Sequence, residues 1–246
     1  MRRIEFFGPM GAGKSTLYST LVKNKIFKKE NSAKNEVYNI LLSQIRAHSL
    51  GKYIFFKFIK YTPIKHRVFS NYDFYHYLKD KKSVSDTIKF ILNTLAIEKS
   101  VDKAKTLVRL NYFLKDLTDV VVLQNHSEKK ILIHDESLIQ RGVSFGIDKS
   151  LNNIDHYIDN IPLPEAVIYV STSPDILQKR IKLRDKNILG FYGKKKPSID
   201  QLNDSIAISE KILAILEKKK VKILKVNTGS DLVRNTQKIN NWIRTI

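Results

Sequence analysis

The chain has 246 residues, with 44 Lys or Arg against 24 Asp or Glu, a formal net charge of +20 and no cysteine. That length fits one α/β domain over residues 1–246, or one domain with a sizeable insertion, and it can bury a core without covalent staples. The composition excludes disulfides and thiolate-bound metal, and no run approaches the roughly 18 apolar residues that span a bilayer.

Met1-Arg2-Arg3 leads straight into a short apolar stretch ending at Gly8, so no secretory leader is expected and the protein is expected in the cytoplasm. On charge alone two readings stand. One is a polyanionic partner, whether nucleotide, nucleic acid or anionic membrane. The other is a set of solvated lysine faces in a chain rich in Lys, Ile and Asn throughout.

Arg2 to Phe7 reads as a short strand, broken by Gly8 to Gly13, and Ser15 to about Ile26 as a helix with Leu17, Leu21 and Val22 on one face. Residues 34–126 carry few glycines and read as mostly helical. Ile88, Ile91, Leu92 and Leu95 follow helical spacing behind Ser83 or Ser85 as a cap, Ala104, Leu107, Val108 and Leu114 repeat the pattern, and Pro63 marks a break. Within this stretch, residues 53–60 are aromatic and basic. Such a stripe is either a core helix face or a peripheral contact with an anionic membrane.

Ile131-Leu132-Ile133 is the next strand, with His134-Asp135-Glu136-Ser137 at its C-terminal end. Ala166 to Val170 follows, behind Pro162 and Pro164. Ser173-Pro174-Asp175 then supplies a cap, a proline at the first helical position and an acid in the first turn. Ser198 and Gln201 form a capping box ahead of Leu202, Ile206, Leu213 and Leu216. Val221 to Val226 is the last strand. Asn227-Thr228-Gly229-Ser230 turns into a final helix with Leu232, Thr236, Ile239 and Ile243 on one face.

Apolar strands alternating with helices predict a parallel sheet covered on both faces, with ligands at the C-terminal ends of its strands. The glycine loop, Asp135-Glu136, Ser171 and Thr228 all fall there.

Gly8-Pro9-Met10-Gly11-Ala12-Gly13-Lys14-Ser15 fits the P-loop pattern G-x-x-x-x-G-K-[ST]. Glycines let the backbone wrap a phosphate with its N–H groups turned inward, and the helix N-terminus adds partial positive charge. Lys14 is expected to reach the β- and γ-phosphates of ATP, and the Ser15 hydroxyl to coordinate Mg²⁺. The expected fold is therefore α/β, a P-loop NTPase three-layer fold with a parallel sheet, helices on both faces and a mostly helical insertion over about 34–126.

A carboxylate after the second strand of such a fold orients Mg²⁺, and Asp135 would face the metal while Glu136 could take a proton from a hydroxyl or from water, so either Asp135 or Glu136 is the expected base. Arg180 and Arg184 lie four apart and project from one helix face, as a clamp on phosphate requires. Residues 185–197, with Gly190, Gly193 and Lys194-Lys195-Lys196, read as a lid. His48, His66, His76, His126, His134 and His156 show no metal-ligand spacing.

With these features in order, the chain resembles the nucleoside and nucleotide kinase branch of the P-loop kinases, including thymidylate kinase-like proteins. The resemblance rests on Gly8 to Thr16, Asp135-Glu136-Ser137, Leu163-Pro164-Glu165 through Arg184, and Val226-Asn227-Thr228-Gly229. It implies ATP as donor, Mg²⁺ as cofactor, Arg180 and Arg184 on ATP and the transferred phosphate, and Thr228-Gly229 against the adenine. The family pattern has an arginine right after the acid of this strand. Glu136 stands there instead, and Arg141 is the candidate replacement. Asp-Glu variants among thymidylate kinase-like proteins linked to polysaccharide synthesis add sugars and glycans to nucleosides and nucleotides as expected acceptors, with residues 34–126 as the acceptor-binding region. Two other activities stay open on the residues alone. One is acceptor-independent ATP hydrolysis, with Glu136 activating water. The other is binding or phosphorylation of nucleic acid, which the charge suggests but no motif supports.

Overall fold

A computed structural model describes residues 2–23, 32–48, 50, 53–54, 57, 82–94, 103–124, 130–147, 151, 153–183, 198–229 and 231–246. Its frame is a parallel sheet of β1 (Arg2–Phe7), β2 (Ile131–His134), β3 (Ala166–Ser171) and β4 (Lys222–Asn227), in the order β2-β1-β3-β4. The register sets Arg2 beside Ile131, Ile4 beside Ala166 and Ala166 beside Lys222. β1 lies between two neighbours and reads almost wholly buried, as a central parallel strand must. Outermost at one side, β4 turns Lys222, Lys225 and Asn227 to solvent and Leu224 and Val226 inward. Beyond β2 at the other side, Ser32 makes a single parallel bridge to Ile133.

Helices close both faces. One layer holds α1 (Lys14–Lys23) and α9 (Leu232–Ile243) against Ile4, Phe6, Ile168 and Val226 through Leu17, Leu21, Ile239 and Ile243. The opposite layer holds α4 (Lys103–Gln124), α5 (Leu138–Ile147), α6 (Ile154–Asp159) and α8 (Ile199–Lys218) against Phe7, Val167 and Tyr169. Phe113, Phe145 and Tyr157 meet there with ring centroids 6.1 to 6.3 Å apart. α2 (Ala33–His48) joins α4 and β2 through Val37, Ile40, Leu41, Val122, Leu123 and Leu132. α3 (Lys82–Thr94) and α7 (Pro174–Leu183) complete the described helices.

Local signals account for the boundaries. Ser198 accepts from the Gln201 N–H and Gln201 returns the bond, a complete capping box. Asp231 caps α9 by accepting from the Val233 N–H at 2.9 Å. Two expectations shift. α3 starts at Lys82, so Ser83 and Ser85 lie inside the helix and do not cap it. Leu107 is 53% exposed, because the buried face of α4 runs through Thr106, Phe113, Leu117 and Val120. Pro63 and most of the aromatic-basic run lie outside the described residues. From that run, Tyr53 takes cation–π contacts from Arg46 at 5.6 Å and Lys57 at 5.9 Å. Among the described residues no helix is long and apolar enough to cross a membrane.

Candidate active site

The loop between β1 and α1 carries three glycines with positive φ: Gly8 at 146°, Gly11 at 78° and Gly13 at 95°. A side chain at Gly8 would place its Cβ 2.1 Å from the Val170 carbonyl oxygen, so the loop passes β3 at a distance only glycine allows. Two buried side chains fasten the loop from the opposite layer. The Gly8 N–H donates to Gln140 Oε1 at 3.1 Å, and the Met10 N–H donates to Ser205 Oγ at 2.9 Å. Ala12 is buried in the core on the α1 side, and the Ala12 N–H closes a turn onto the Pro9 carbonyl.

Lys14 is 6% exposed and folds across the loop. Its Nζ donates to the Gly8 and Pro9 carbonyls at 3.0 and 3.1 Å and lies 3.6 Å from Glu136 Oε1. A phosphate oxygen, being anionic, is a stronger acceptor than either carbonyl, so this ammonium is placed to transfer onto a polyphosphate held by the loop.

Asp135 and Glu136 follow β2 directly. Burial pushes the Asp135 carboxyl above the ordinary aspartate range and the like charge of Glu136 adds to this, against Lys34, Lys14 and a hydrogen bond from the Ser15 hydroxyl. Asp135 Oδ1 is buried without a hydrogen-bond partner. A buried carboxylate oxygen left over beside a serine hydroxyl suits a hard dication. Mg²⁺ fits, since it takes one or two protein oxygens and completes its shell with water and phosphate.

We expect Asp135→Asn to lose most of the gain in nucleotide affinity that Mg²⁺ gives, roughly 10-fold or more, in titrations with and without the ion. The sign with pH follows from the raised pKa. Asp135 keeps its proton to higher pH than a free aspartate, so the Mg²⁺ gain should fade as pH drops, before free aspartate would protonate. Glu136→Gln removes the like charge and should move that midpoint down. A midpoint unmoved by Glu136→Gln would sink the assignment.

Glu136 is 37% exposed at its side chain, open to whatever approaches Lys14. Arg141, one turn into α5, does not reach across the loop. Its Nε donates to Asp116 Oδ2 on α4 at 2.6 Å, and its guanidinium lies 5.2 Å from the Tyr112 ring centroid. One turn on, burial and the charge of Asp116 push the Asp119 carboxyl up to about 7. His134 is buried within β2, where burial, Arg3 and Lys34 push its imidazole well below its usual value and keep it neutral. Beneath the site, the buried Glu5 accepts from the Ile139 N–H at 3.1 Å and pairs with Arg3 at 3.1 Å, which ties β1 to the start of α5.

On the other flank, the α7 residue Arg180 is latched to the loop after β4. Its Nη1 donates to Thr228 Oγ1 at 2.9 Å and its Nη2 to the Thr228 carbonyl at 2.9 Å, while Thr228 Oγ1 donates to the Ala12 carbonyl at 2.6 Å. A cleft of about 470 Å³ runs from Gly11 and Gly13 past Thr16 and Arg180 to Leu183 and Leu232. Gly229 turns at its edge, donating its N–H to Asn227 Oδ1 at 2.8 Å. Arg184 and the lid over 185–197 lie outside the described residues.

The structure thus gathers Lys14, Ser15, Asp135 and Glu136 at one point and sets Arg180 and Thr228 along the cleft, with Arg141 turned to α4. The motif reading missed Gln140 and Ser205. Each is a polar residue set in an otherwise apolar helix face, between Ile139 and Val143 and between Leu202 and Ile206.

No protein-family model matches this chain, and no curated protein matches it. Solved structures do. Deoxyadenosine kinase from M. mycoides with bound dATP superposes with a TM-score of 0.50 at 14% identity, over 98% of this chain and 99% of that one. The fold is that of a P-loop NTPase. Two further structures of that enzyme match with TM-scores of 0.46. The one with products dCMP and a flexible dCDP is 17% identical, and the one with dCTP is 16% identical; each comparison covers 99% of this chain and 100% of that one.

Proposed function

We propose that this protein is an ATP- and Mg²⁺-dependent kinase that transfers the γ-phosphoryl group to a small-molecule acceptor, within the nucleoside and nucleotide kinase branch. The observation that carries this reading is the meeting of Lys14 and Glu136 at 3.6 Å, with the Ser15 hydroxyl on Asp135 beside them. Phosphoryl transfer asks little covalent chemistry of a protein. It needs a cradle, cations on the developing charge and a base at the incoming hydroxyl, and these three meet here.

The loop from Gly8 to Thr16 cradles the β- and γ-phosphates. Lys14 leaves the Gly8 and Pro9 carbonyls for phosphate oxygens. Ser15 and Asp135 would hold Mg²⁺, which would supply positive charge against the phosphates. Released from Lys14, Glu136 accepts the proton of the acceptor hydroxyl. Arg180 walls the nucleoside half of the donor against Thr228 and Gly229.

The acceptor lies on the α2–α4–α5 side, in the region 34–126, where Arg141 and Asp116 form its wall. A nucleoside is the acceptor to test first, because a solved structure with this fold is named a deoxyadenosine kinase. Nucleotides, sugars and glycan ends follow, as for thymidylate kinase-like proteins. Nucleic acid and an anionic membrane are not favoured, since nothing beyond net charge and the run at 53–60 supports them.

The test is ADP release with Mg²⁺, with and without pooled nucleosides, nucleotides and sugars. Acceptor-dependent release is expected, and Glu136→Gln should lower kcat about 100-fold while leaving the KM for ATP within a few-fold. Equal release without any acceptor, abolished in Glu136→Gln, would instead make the protein an ATPase.

A further inference from the structure

Two cations act on Asp135, and they are spent differently. Lys14 is folded onto its own loop and lies 3.6 Å from Glu136. Lys34 acts on Asp135 more strongly than Lys14 does, yet its side chain is exposed and makes no hydrogen bond or ion pair among the described residues.

The fold explains the placement. Ser32 bridges to Ile133 in parallel, and α2 begins at the next residue. Ala33 is buried in one cluster with Leu132, so the chain stays close to β2 as it turns into the helix. Lys34 is two residues beyond Ser32 and Asp135 two beyond Ile133, which brings both to the C-terminal end of the sheet. Lys34 therefore stands on the outer side of β2, away from the glycine loop, and its charge also reaches Asp116, Asp119 and His134. That is the side given above to the acceptor.

The carboxylates there are already answered. Asp116 is paired with Arg141 at 2.6 Å, Glu136 with Lys14, and Asp135 takes the Ser15 hydroxyl. Asp119, pushed up to about 7 by burial and Asp116, has Lys115 one turn before it. Lys34 thus keeps a full charge and three donors, with no carboxylate of the described residues at ion-pair distance. An oxyanion brought in by a ligand is its natural partner.

We propose that Lys34 binds an oxyanion on the acceptor, so that the acceptor is a hydroxyl compound carrying a phosphate or a carboxylate: a nucleotide, a sugar phosphate or a sugar acid rather than a neutral nucleoside or sugar. The hydroxyl faces Glu136, and the oxyanion lies beyond β2 on Lys34. This rests on the reading above, that the protein is a kinase.

The experiment is ADP release with MgATP on matched acceptors, nucleosides and sugars each beside its monophosphate and, for the sugars, its acid. The anionic member of a pair is expected to be used about 10- to 100-fold better in kcat/KM, and whether phosphates or acids lead identifies the oxyanion. Lys34→Gln should raise the KM of that acceptor by about the same factor, with its kcat and the KM for ATP within about 3-fold, and Lys34→Arg should restore most of the loss. Lys34 is exposed, so neither change threatens folding. Equal or better use of the neutral members overturns the inference and leaves the kinase standing. So does an anionic acceptor whose KM is unmoved in Lys34→Gln. Release that ignores every acceptor, or no release at all, overturns the kinase reading and this inference with it.

Discussion

Lys14→Ala is expected to lower kcat/KM for ATP by about 10³–10⁴-fold. A buried cation aimed at developing charge is worth about 10²–10³-fold in kcat. A charge-assisted hydrogen bond to the ground-state phosphates adds roughly another 10-fold in affinity. In the unliganded protein Lys14 also balances Glu136 at 3.6 Å and satisfies two loop carbonyls. Its removal leaves carbonyls that water can reach, so the melting temperature should move by only a few degrees. Steady-state kinetics together with a thermal melt separate the two effects. A variant that keeps more than a tenth of wild-type kcat/KM would remove Lys14 from the chemistry.

The second large effect is on folding. Gly8→Ala adds a Cβ that must occupy a point 2.1 Å from the Val170 oxygen, on a residue with φ of 146°. The contact is backbone on backbone and no rotamer relieves it, so β1 or β3 must shift. The cost should be about 3–5 kcal/mol, which for a chain of this size lowers the melting temperature by about 10 °C. Gly11→Ala is the internal control. Its φ of 78° also strains an alanine, but its Cβ meets side chains alone, Ile181 at 3.2 Å and Leu177 at 3.5 Å, which can give way, so about 1 kcal/mol is expected. If the two variants melt together, the loss at Gly8 comes from φ alone and the close passage at Val170 is not what sets it.

Some of this was legible in the sequence because it rests on local physics. A strand, a loop of three glycines and a helix, which starts at Lys14 and not at the expected Ser15, follow from residue types in a row, and so do the caps at Ser173 and Ser198, while the cap at Asp231 was not read there. Asp135 and Glu136 were legible because a strand of only four residues leaves little doubt about its C-terminal end. What periodicity could not show were contacts across the chain. Gln140 reaches Gly8 over 132 positions and Ser205 reaches Met10 over 195, and neither helix carries a mark of its partner. Arg141 shows the same limit, since counting from Glu136 places it near the site and only the packing of α4 against α5 gives it to Asp116. Leu107 was misplaced for a related reason. Helical spacing defines a stripe, but tertiary packing decides which neighbouring stripe faces the core.

β4 gives part of the strong positive charge a use that needs no anionic partner. As the outermost described strand it offers a row of backbone donors and acceptors with no strand beside them, the kind of border on which a second chain can dock and keep growing. Lys222 and Lys225 punctuate that border, and Lys225 is held at 2.8 Å by Glu217 and Lys219 at 2.5 Å by Asp159. Those two lysines are balanced by their acids, so it falls to Lys222, at the start of the strand, to make the docking of a second copy along this border costly.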